Sequence, residues 1–280
     1  MRSNRRLQCL FGIVLSMLAT TVALHAQTPA PTPTLEREFF KNILSDQKAI
    51  WTAPFHLERS DMKWVIPSGI GFMALVTTDR ITGDEMFEAN RQIKASQVIS
   101  YAGSVYGLGA VAGTFYLIGR KNNDYRARET GLLSAEALVN SMITEAALKG
   151  ITQRARPTDG RERSEFFDGG NSFPSGHSTQ AWAVATVIAH EYKDRPAVQI
   201  AAYGIASAVS VARFTGHKHY ISDVLVGSAL GFGIGKFVYH AHHRESLTED
   251  DNSQINKWPL ITPQYNRQAR QYGVALTWNF

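Results

Sequence analysis

Arg213-Phe214-Thr215-Gly216-His217-Lys218-His219-Tyr220-Ile221-Ser222-Asp223 separates two apolar runs, Pro196–Ala212 and Val224–Gly235. A short polar stretch between runs of that kind predicts a turn joining two helices. With the second helix beginning near His219, Asp223 falls one turn further along the same face. A carboxylate there can accept a hydrogen bond from one imidazole nitrogen, which fixes the tautomer and leaves the other nitrogen's lone pair free to attack. Arg213, just before the turn, is placed to hold an anion against that nitrogen. A capped helix start with a solvated histidine is the competing reading of the stretch taken alone.

Outward from this turn the helical pattern continues. Segments at about 62–78, 95–119, 130–149, 177–192, 196–213 and 219–240 read as helices, with no strand-like alternation between them. Small residues recur in them (Gly107, Gly109, Gly113; Gly227, Gly231, Gly233, Gly235), which permits close helix approach. The predicted fold class is all-α, an antiparallel bundle of about six core helices over residues 62–244. Ahead of it, Gln27–Thr34 is an extended Pro/Thr linker. Leu35, Phe39, Ile43 and Ile50, with Phe40 and Leu44, then mark an amphipathic helix that ends before Pro54. That apolar stripe is expected to pack on the protein's own core, with a membrane surface as the alternative. Residues 245–280 form a polar connection and a tail in which Tyr272, Val274, Leu276, Trp278 and Phe280 alternate strictly. The alternation predicts a strand, paired with Leu260–Thr262 in a short β-hairpin.

Of the 280 residues 44% are hydrophobic and 19% charged, and the formal net charge is +5. Arg2, Arg5 and Arg6 supply three of these charges, so the chain without residues 1–26 is nearly balanced at +2. No basic run of the kind that binds nucleic acid is present. The basic start, the apolar Leu10–Leu24 and the small Ala26 read as a secretory signal over 1–26, which implies export to a periplasm or cell envelope. Cys9 is the sole cysteine and lies before the apolar core of that signal.

Membrane insertion is argued from length. Ala95–Gly119 carries no charge and is long enough to span, whereas Pro196–Ala212 gives only about 25 Å of helix against roughly 30 Å of hydrocarbon. The third segment holds Glu136 and Glu145, which are costly in lipid. After an export signal, three spans leave the end of the third segment on the inner side, away from an exported site. The expectation is therefore a periplasmic bundle that touches a membrane without fully spanning it.

Two further clusters bear on the chemistry. Lys149 closes the third helical segment and Arg156-Pro157 follows Gly150; cations near a helix end are common for dipole reasons alone. Phe173-Pro174-Ser175-Gly176-His177-Ser178 opens the next helix, where backbone N–H groups, the small Gly176 and the Ser175 hydroxyl suit an anion. A Pro-led start with a capping serine explains the same residues without a ligand.

Taken in order, Lys-x6-Arg-Pro at 149–157, Pro-Ser-Gly-His at 174–177 and Arg-x5-His-x3-Asp at 213–223 resemble the signature of the type 2 phosphatidic acid phosphatase and vanadium haloperoxidase superfamily. The resemblance covers about residues 60–240. One departure is Ala212, where the family usually has a serine before the arginine; the lost hydrogen bond is worth about 1 kcal/mol. By this resemblance Lys149, Arg156 and Arg213 clamp the phosphoryl oxygens, and Ser175 and Gly176 complete the cradle. His219 is implied as the nucleophile that forms a phosphohistidine, Asp223 as its orienting partner, and His177 as the donor to the leaving oxygen. The implied activity is metal-independent hydrolysis of a phosphate monoester or diphosphate, on a small molecule or a lipid, with no cofactor. A vanadate-dependent haloperoxidase and a non-catalytic envelope protein are the alternatives. His217 does not fit the spacing and is left as a secondary pocket residue. His240, His242 and His243 read as a solvated helix end, because no carboxylate cluster is in register with them. Arg161 and Arg163, between the first two clusters, are placed to screen entering substrates.

Overall fold

The computed structural model describes residues 34–84, 90–158, 164–243, 260–266 and 271–277. The expected signal, nearly all of the linker, Arg161, Arg163 and the polar connection after Arg244 lie outside them. The chain divides into two units, Met1–His243 and Arg244–Phe280. In the first, eight helices are described: α1 (Thr34–Thr52), α2 (Met62–Asp84), α3 (Asn90–Ala102), α4 (Val105–Asn122), α5 (Tyr125–Thr152), α6 (Gly176–Glu191), α7 (Pro196–Thr215) and α8 (Ile221–His242). In the second, β1 (Leu260–Asn266) pairs antiparallel with β2 (Gln271–Thr277), Leu260 opposite Thr277 and Asn266 opposite Gln271.

Helix α6 is apolar all round, and 13 of its 16 residues are buried, which makes it the central post. On one side Val184 and Ile188 pack with Leu108, Phe115, Leu138, Ala202 and Val209 of α4, α5 and α7. On the other, Ala183 and Val187 meet Leu133, Ile234 and Val238 of α5 and α8. A stripe of glycines sets the α6–α8 distance. A Cβ on Gly231 would lie 2.1 Å from the Thr179 carbonyl oxygen, and one on Gly235 would lie 2.3 Å from that of Ala183. Only glycine lets the two backbones come this close, and this contact brings the starts of α6 and α8 to one end of the bundle.

Three expectations change. The single segment 95–119 is two helices bent by 41°, because Ser104 caps a fresh start by accepting a hydrogen bond from the Gly107 N–H. Helix α7 runs to Thr215, three residues beyond Ala212, and at 20 residues it is long and apolar enough to cross a membrane. So is α8, and the bent α3–α4 pair passes the same test of length and composition. The α1 stripe is divided: Ile43 is buried against the core, while Phe40 and Leu44 are 78% and 74% exposed. On its inner side α1 also buries a carboxylate, Asp46, which the apolar stripe did not announce.

Candidate active site

At the end of α5, Gln153 turns in the left-handed region (φ 45°) and the chain doubles back. Residues 152–155 then pair with 165–173. Ala155 N–H donates to the Glu165 carbonyl (2.9 Å), Phe167 N–H to that of Thr152 (2.8 Å), and Ser172 N–H to that of Arg154 (2.9 Å). The Thr152 hydroxyl reaches the Phe173 carbonyl at 2.9 Å, just before α6. Two of the three sequence clusters are thereby zipped into one double loop.

Arg154 is the hub of this loop. Its side chain is wholly buried, with Nη1 donating to Asp223 Oδ1 (2.5 Å) and Ser222 Oγ (2.7 Å). Nη2 donates to Asp79 Oδ2 (2.7 Å) and Ser164 Oγ (2.6 Å). The rings of Phe166 and Tyr220 lie 4.7 and 4.5 Å from the guanidinium carbon. Asp79, also fully buried, accepts from the Ser222 N–H and hydroxyl and so ties α2 to the start of α8. Sequence reading missed both residues. Arg154 is an unassigned position inside the Lys-x6-Arg spacing, and its partner Asp79 stands 75 residues earlier, so no local pattern links them.

His219 is almost completely buried, and its Nδ1 donates to the Ser172 carbonyl at 2.8 Å. This corrects the expected pairing. Asp223 Oδ2 is 3.6 Å from Nδ1, within ion-pair range but beyond a hydrogen bond. Asp223 instead accepts from the Ser172 hydroxyl (2.5 Å), the Tyr220 N–H (3.0 Å) and Arg154. It caps α8 and holds the segment whose carbonyl orients the imidazole. The tautomer is the one required: a carbonyl on Nδ1 demands the proton there, so the neutral ring keeps its lone pair on Nε2. Burial above all, with Arg213 and Arg156 adding to it and Asp223 opposing, lowers His219 to about 4.

Positive charge gathers around His177. Burial first, then the charges of Arg213, His219, Lys149 and Arg156, lowers its imidazole to about 4. Each cation is held differently. Lys149 is ion-paired with Glu145 one turn earlier on α5, and Arg156 Nε donates to Asn171 Oδ1 at 2.7 Å. Arg213 Nε is buried with no acceptor. Ser175 is fully buried at the start of α6, its Oγ accepting from Ser178 at 3.0 Å rather than capping the helix through its side chain. At Gly176 a Cβ would come within 2.5 Å of Glu145 Oε1, so the glycine makes room for the carboxylate beside Lys149. His217 sits in the turn at φ 55°, with Nε2 buried and unpartnered.

These residues come from the ends of α5 and α7 and the starts of α6 and α8, in the chain order of the three clusters. Residues 130–247 match the PAP2 superfamily. The match spans less than half of the chain. The PAP2 region includes every residue of the three clusters, whereas Asp79 lies ahead of it. A lipid A 1-phosphatase of Porphyromonas gingivalis is 35% identical over 103 residues, 36% of this chain and 23% of that protein. A PA-phosphatase related-family protein of Dictyostelium discoideum is 27% identical over 173 residues, 55% of this chain and 62% of that one. The chain thus spans less than two thirds of the length of either curated relative. Among solved structures, Aquifex aeolicus LpxE shares 21% identity at a TM-score of 0.46, covering 59% of this chain and 93% of that one. A transmembrane PAP2 type phosphatidylglycerolphosphate phosphatase from Bacillus subtilis shares 22% at 0.45, covering 75% and 97%.

The far end of the PAP2 helix α8 overturns one expectation. His240 is exposed, but His242 and His243 are only part-exposed and face carboxylates. His242 Nε2 lies 2.8 Å from Asp46 Oδ1 and 3.1 Å from Glu136 Oε1. His243 Nδ1 lies 3.2 Å from Glu191 Oε1 and 3.5 Å from Glu129 Oε1. All four acids are buried. They come from α1, α5 and α6, so reading α8 alone could not put them in register with its histidines.

Proposed function

We propose that this chain is a phosphatase of lipid-linked phosphate monoesters or diphosphates, working through a phosphohistidine on His219. The observation that carries the reading is Arg213 Nε, which is buried with no acceptor. A buried donor left in that state costs about 1–3 kcal/mol, which a phosphoryl oxygen would recover. A phosphate monoester brings about −1.5 to −2 charges, enough to offset Lys149, Arg156 and Arg213 while charge shifts to the leaving oxygen.

His219 Nε2 then attacks phosphorus and the bond to the alkoxide leaving group breaks. His177 gives that oxygen its proton. Burial above all, with the nearby cations adding to it, keeps His177 neutral at pH 7; a phosphate dianion beside it opposes both effects and favours the proton it must deliver. Water next attacks phosphorus as the phosphorus–nitrogen bond breaks; His177 takes the water's proton, phosphate leaves, and His219 Nε2 recovers its lone pair with Nδ1–H still donating to the Ser172 carbonyl. Asp223 acts through Ser172 and the α8 cap as a positioning residue.

The lipid character is supported by apolar side chains that face outward. Trp64, Ile66, Ile70 and Met73 on α2 and Ile200 and Val211 on α7 are 57–73% exposed, on a fold with two helices apolar enough to cross a bilayer. Such a surface fits membrane association. Export is supported by the basic-then-apolar start of the chain. Lipid A, the substrate in the name of the Porphyromonas relative, is the first compound to test. It should be assayed beside an isoprenyl diphosphate and soluble p-nitrophenyl phosphate, using detergent-purified protein with chelator present. Phosphate release from a lipid substrate at well above the rate on the soluble ester is the expected result. A preference for the soluble ester would remove the lipid assignment, and no release from any of the three would remove the function.

A further inference from the structure

We propose that Asp46 on α1, Glu136 on α5 and His242 at the end of α8 form a binding site for one first-row divalent cation of the zinc type. The three ligand atoms, Asp46 Oδ1, Glu136 Oε1 and His242 Nε2, lie within 4.8 Å of one another. Asp46 and Glu136 are 2% and 1% exposed. A single imidazole N–H can point at only one of two oxygens, and here the nearer is Asp46 Oδ1 at 2.8 Å. Glu136 Oε1 is left buried with no hydrogen bond. A divalent cation resolves this. It takes the Nε2 lone pair of a neutral imidazole and one oxygen from each carboxylate, and its two charges match theirs.

Bonds of about 2.0–2.2 Å at tetrahedral angles set ligand atoms roughly 3.3–3.6 Å apart, so the His242 distances of 2.8 and 3.1 Å need to open by less than an ångström. The surroundings are those of a supported ligand set. Asn140, fully buried, donates to the second Asp46 oxygen at 2.8 Å and is itself held by Gln47 at 2.9 Å, which fixes the carboxylate's direction.

The neighbouring His243 cluster provides the contrast. There His243 Nδ1 donates to Glu191 Oε1 at 3.2 Å and lies 3.5 Å from Glu129 Oε1, and neither acid is left with an unpartnered buried oxygen. Arg126 adds a positive charge acting on Glu191, and the Tyr239 ring stacks on His243 at 4.5 Å. That cluster is balanced without a metal. The Asp46 cluster stands about 28 Å along α8 from Asp223, so a cation there takes no part in phosphoryl transfer. It would join α1 to the α5 and α8 face of the bundle.

The test uses full-length, tag-free protein in detergent, stripped with chelator and titrated with zinc chloride. Bound zinc is read by equilibrium dialysis with elemental analysis, and stability by thermal melting. Wild type should bind one zinc and melt several degrees higher with it. Glu136→Gln and His242→Gln should lose both effects, and His243→Gln should keep both. X-ray absorption of the loaded wild type should show one imidazole nitrogen and otherwise oxygen ligands, a readout that does not depend on any variant folding. No bound zinc in wild type, two or more imidazoles around it, or retention in His242→Gln would each overturn the assignment.

Discussion

Arg154→Met is the substitution that tests how the site is held. The side chain is wholly buried and is the cation paired with both Asp79 and Asp223, themselves fully buried. Methionine fills much of the same volume between Phe166 and Tyr220 but leaves two carboxylates in the interior without a counter-charge. Breaking one buried pair by removing a partner costs about 3–5 kcal/mol. The two pairs share one arginine and relax together, so the lower end of that range is the appropriate floor for the variant. For a domain of this size the melting temperature should drop by roughly 10 °C. Adding Asp79→Asn removes one stranded charge and should recover part of that loss, giving a positive coupling in a double-mutant cycle. Arg154→Lys should fall between, since one ammonium cannot reproduce the two-sided fork that reaches both acids. Kinetics separate positioning from simple stability. With Ser172 and Asp223 loosened, kcat should fall by one to two orders of magnitude below the melting range, while KM changes little because both Arg154 Nη atoms are already engaged by Asp79, Ser164, Ser222 and Asp223. A melting temperature within 2 °C of wild type would refute the network as the support of the site. A raised KM at unchanged kcat would make Arg154 a substrate ligand instead.

The remaining tests are more direct. His219→Ala should lose turnover and the trapped phosphoenzyme while keeping its helical circular dichroism; activity within tenfold of wild type would rule out the phosphohistidine route. His219 has a folded pKa of about 4, below its ordinary 6.5, so the unfolded chain binds the extra proton between those values. Stability should therefore be flat in this term above pH 6.5 and fall by up to about 3 kcal/mol toward pH 4. His219→Gln should show a shallower fall in melting temperature over the same window, and parallel curves would contradict the burial of a neutral ring. Glu145→Gln frees Lys149 from its ion pair, so competitive inhibition by inorganic phosphate should tighten by up to about tenfold. An unchanged inhibition constant would mean that Lys149 is not part of the anion site.

What the sequence revealed of this molecule follows the range of the interactions involved. Helix α6 is legible because a mostly apolar run, Ala181–Ala189, follows a Pro-Ser-Gly-His start, and the turn before α8 is legible from its polarity. The three clusters could be ordered along the chain because each lies within one loop or helix end. The pairings that link different elements could not be read this way. A His–Asp spacing of four suggests a direct bond, but the carbonyl of Ser172, 47 residues earlier, accepts the Nδ1 hydrogen bond. The aspartate was free to serve as a helix cap because a loop arginine and a serine also reach it. The same limit explains Asp46, which on α1 looks like one more polar residue beside an apolar stripe. Its role appears only when α5 and α8 bring Glu136 and His242 against it. Both surprises are buried carboxylates whose counter-charges come from other parts of the chain. In Asp79 and Asp223 the answering cation is present as Arg154. In Asp46 and Glu136 a single imidazole faces two acids and Glu136 Oε1 is left buried without a partner, which is what the proposed cation would answer.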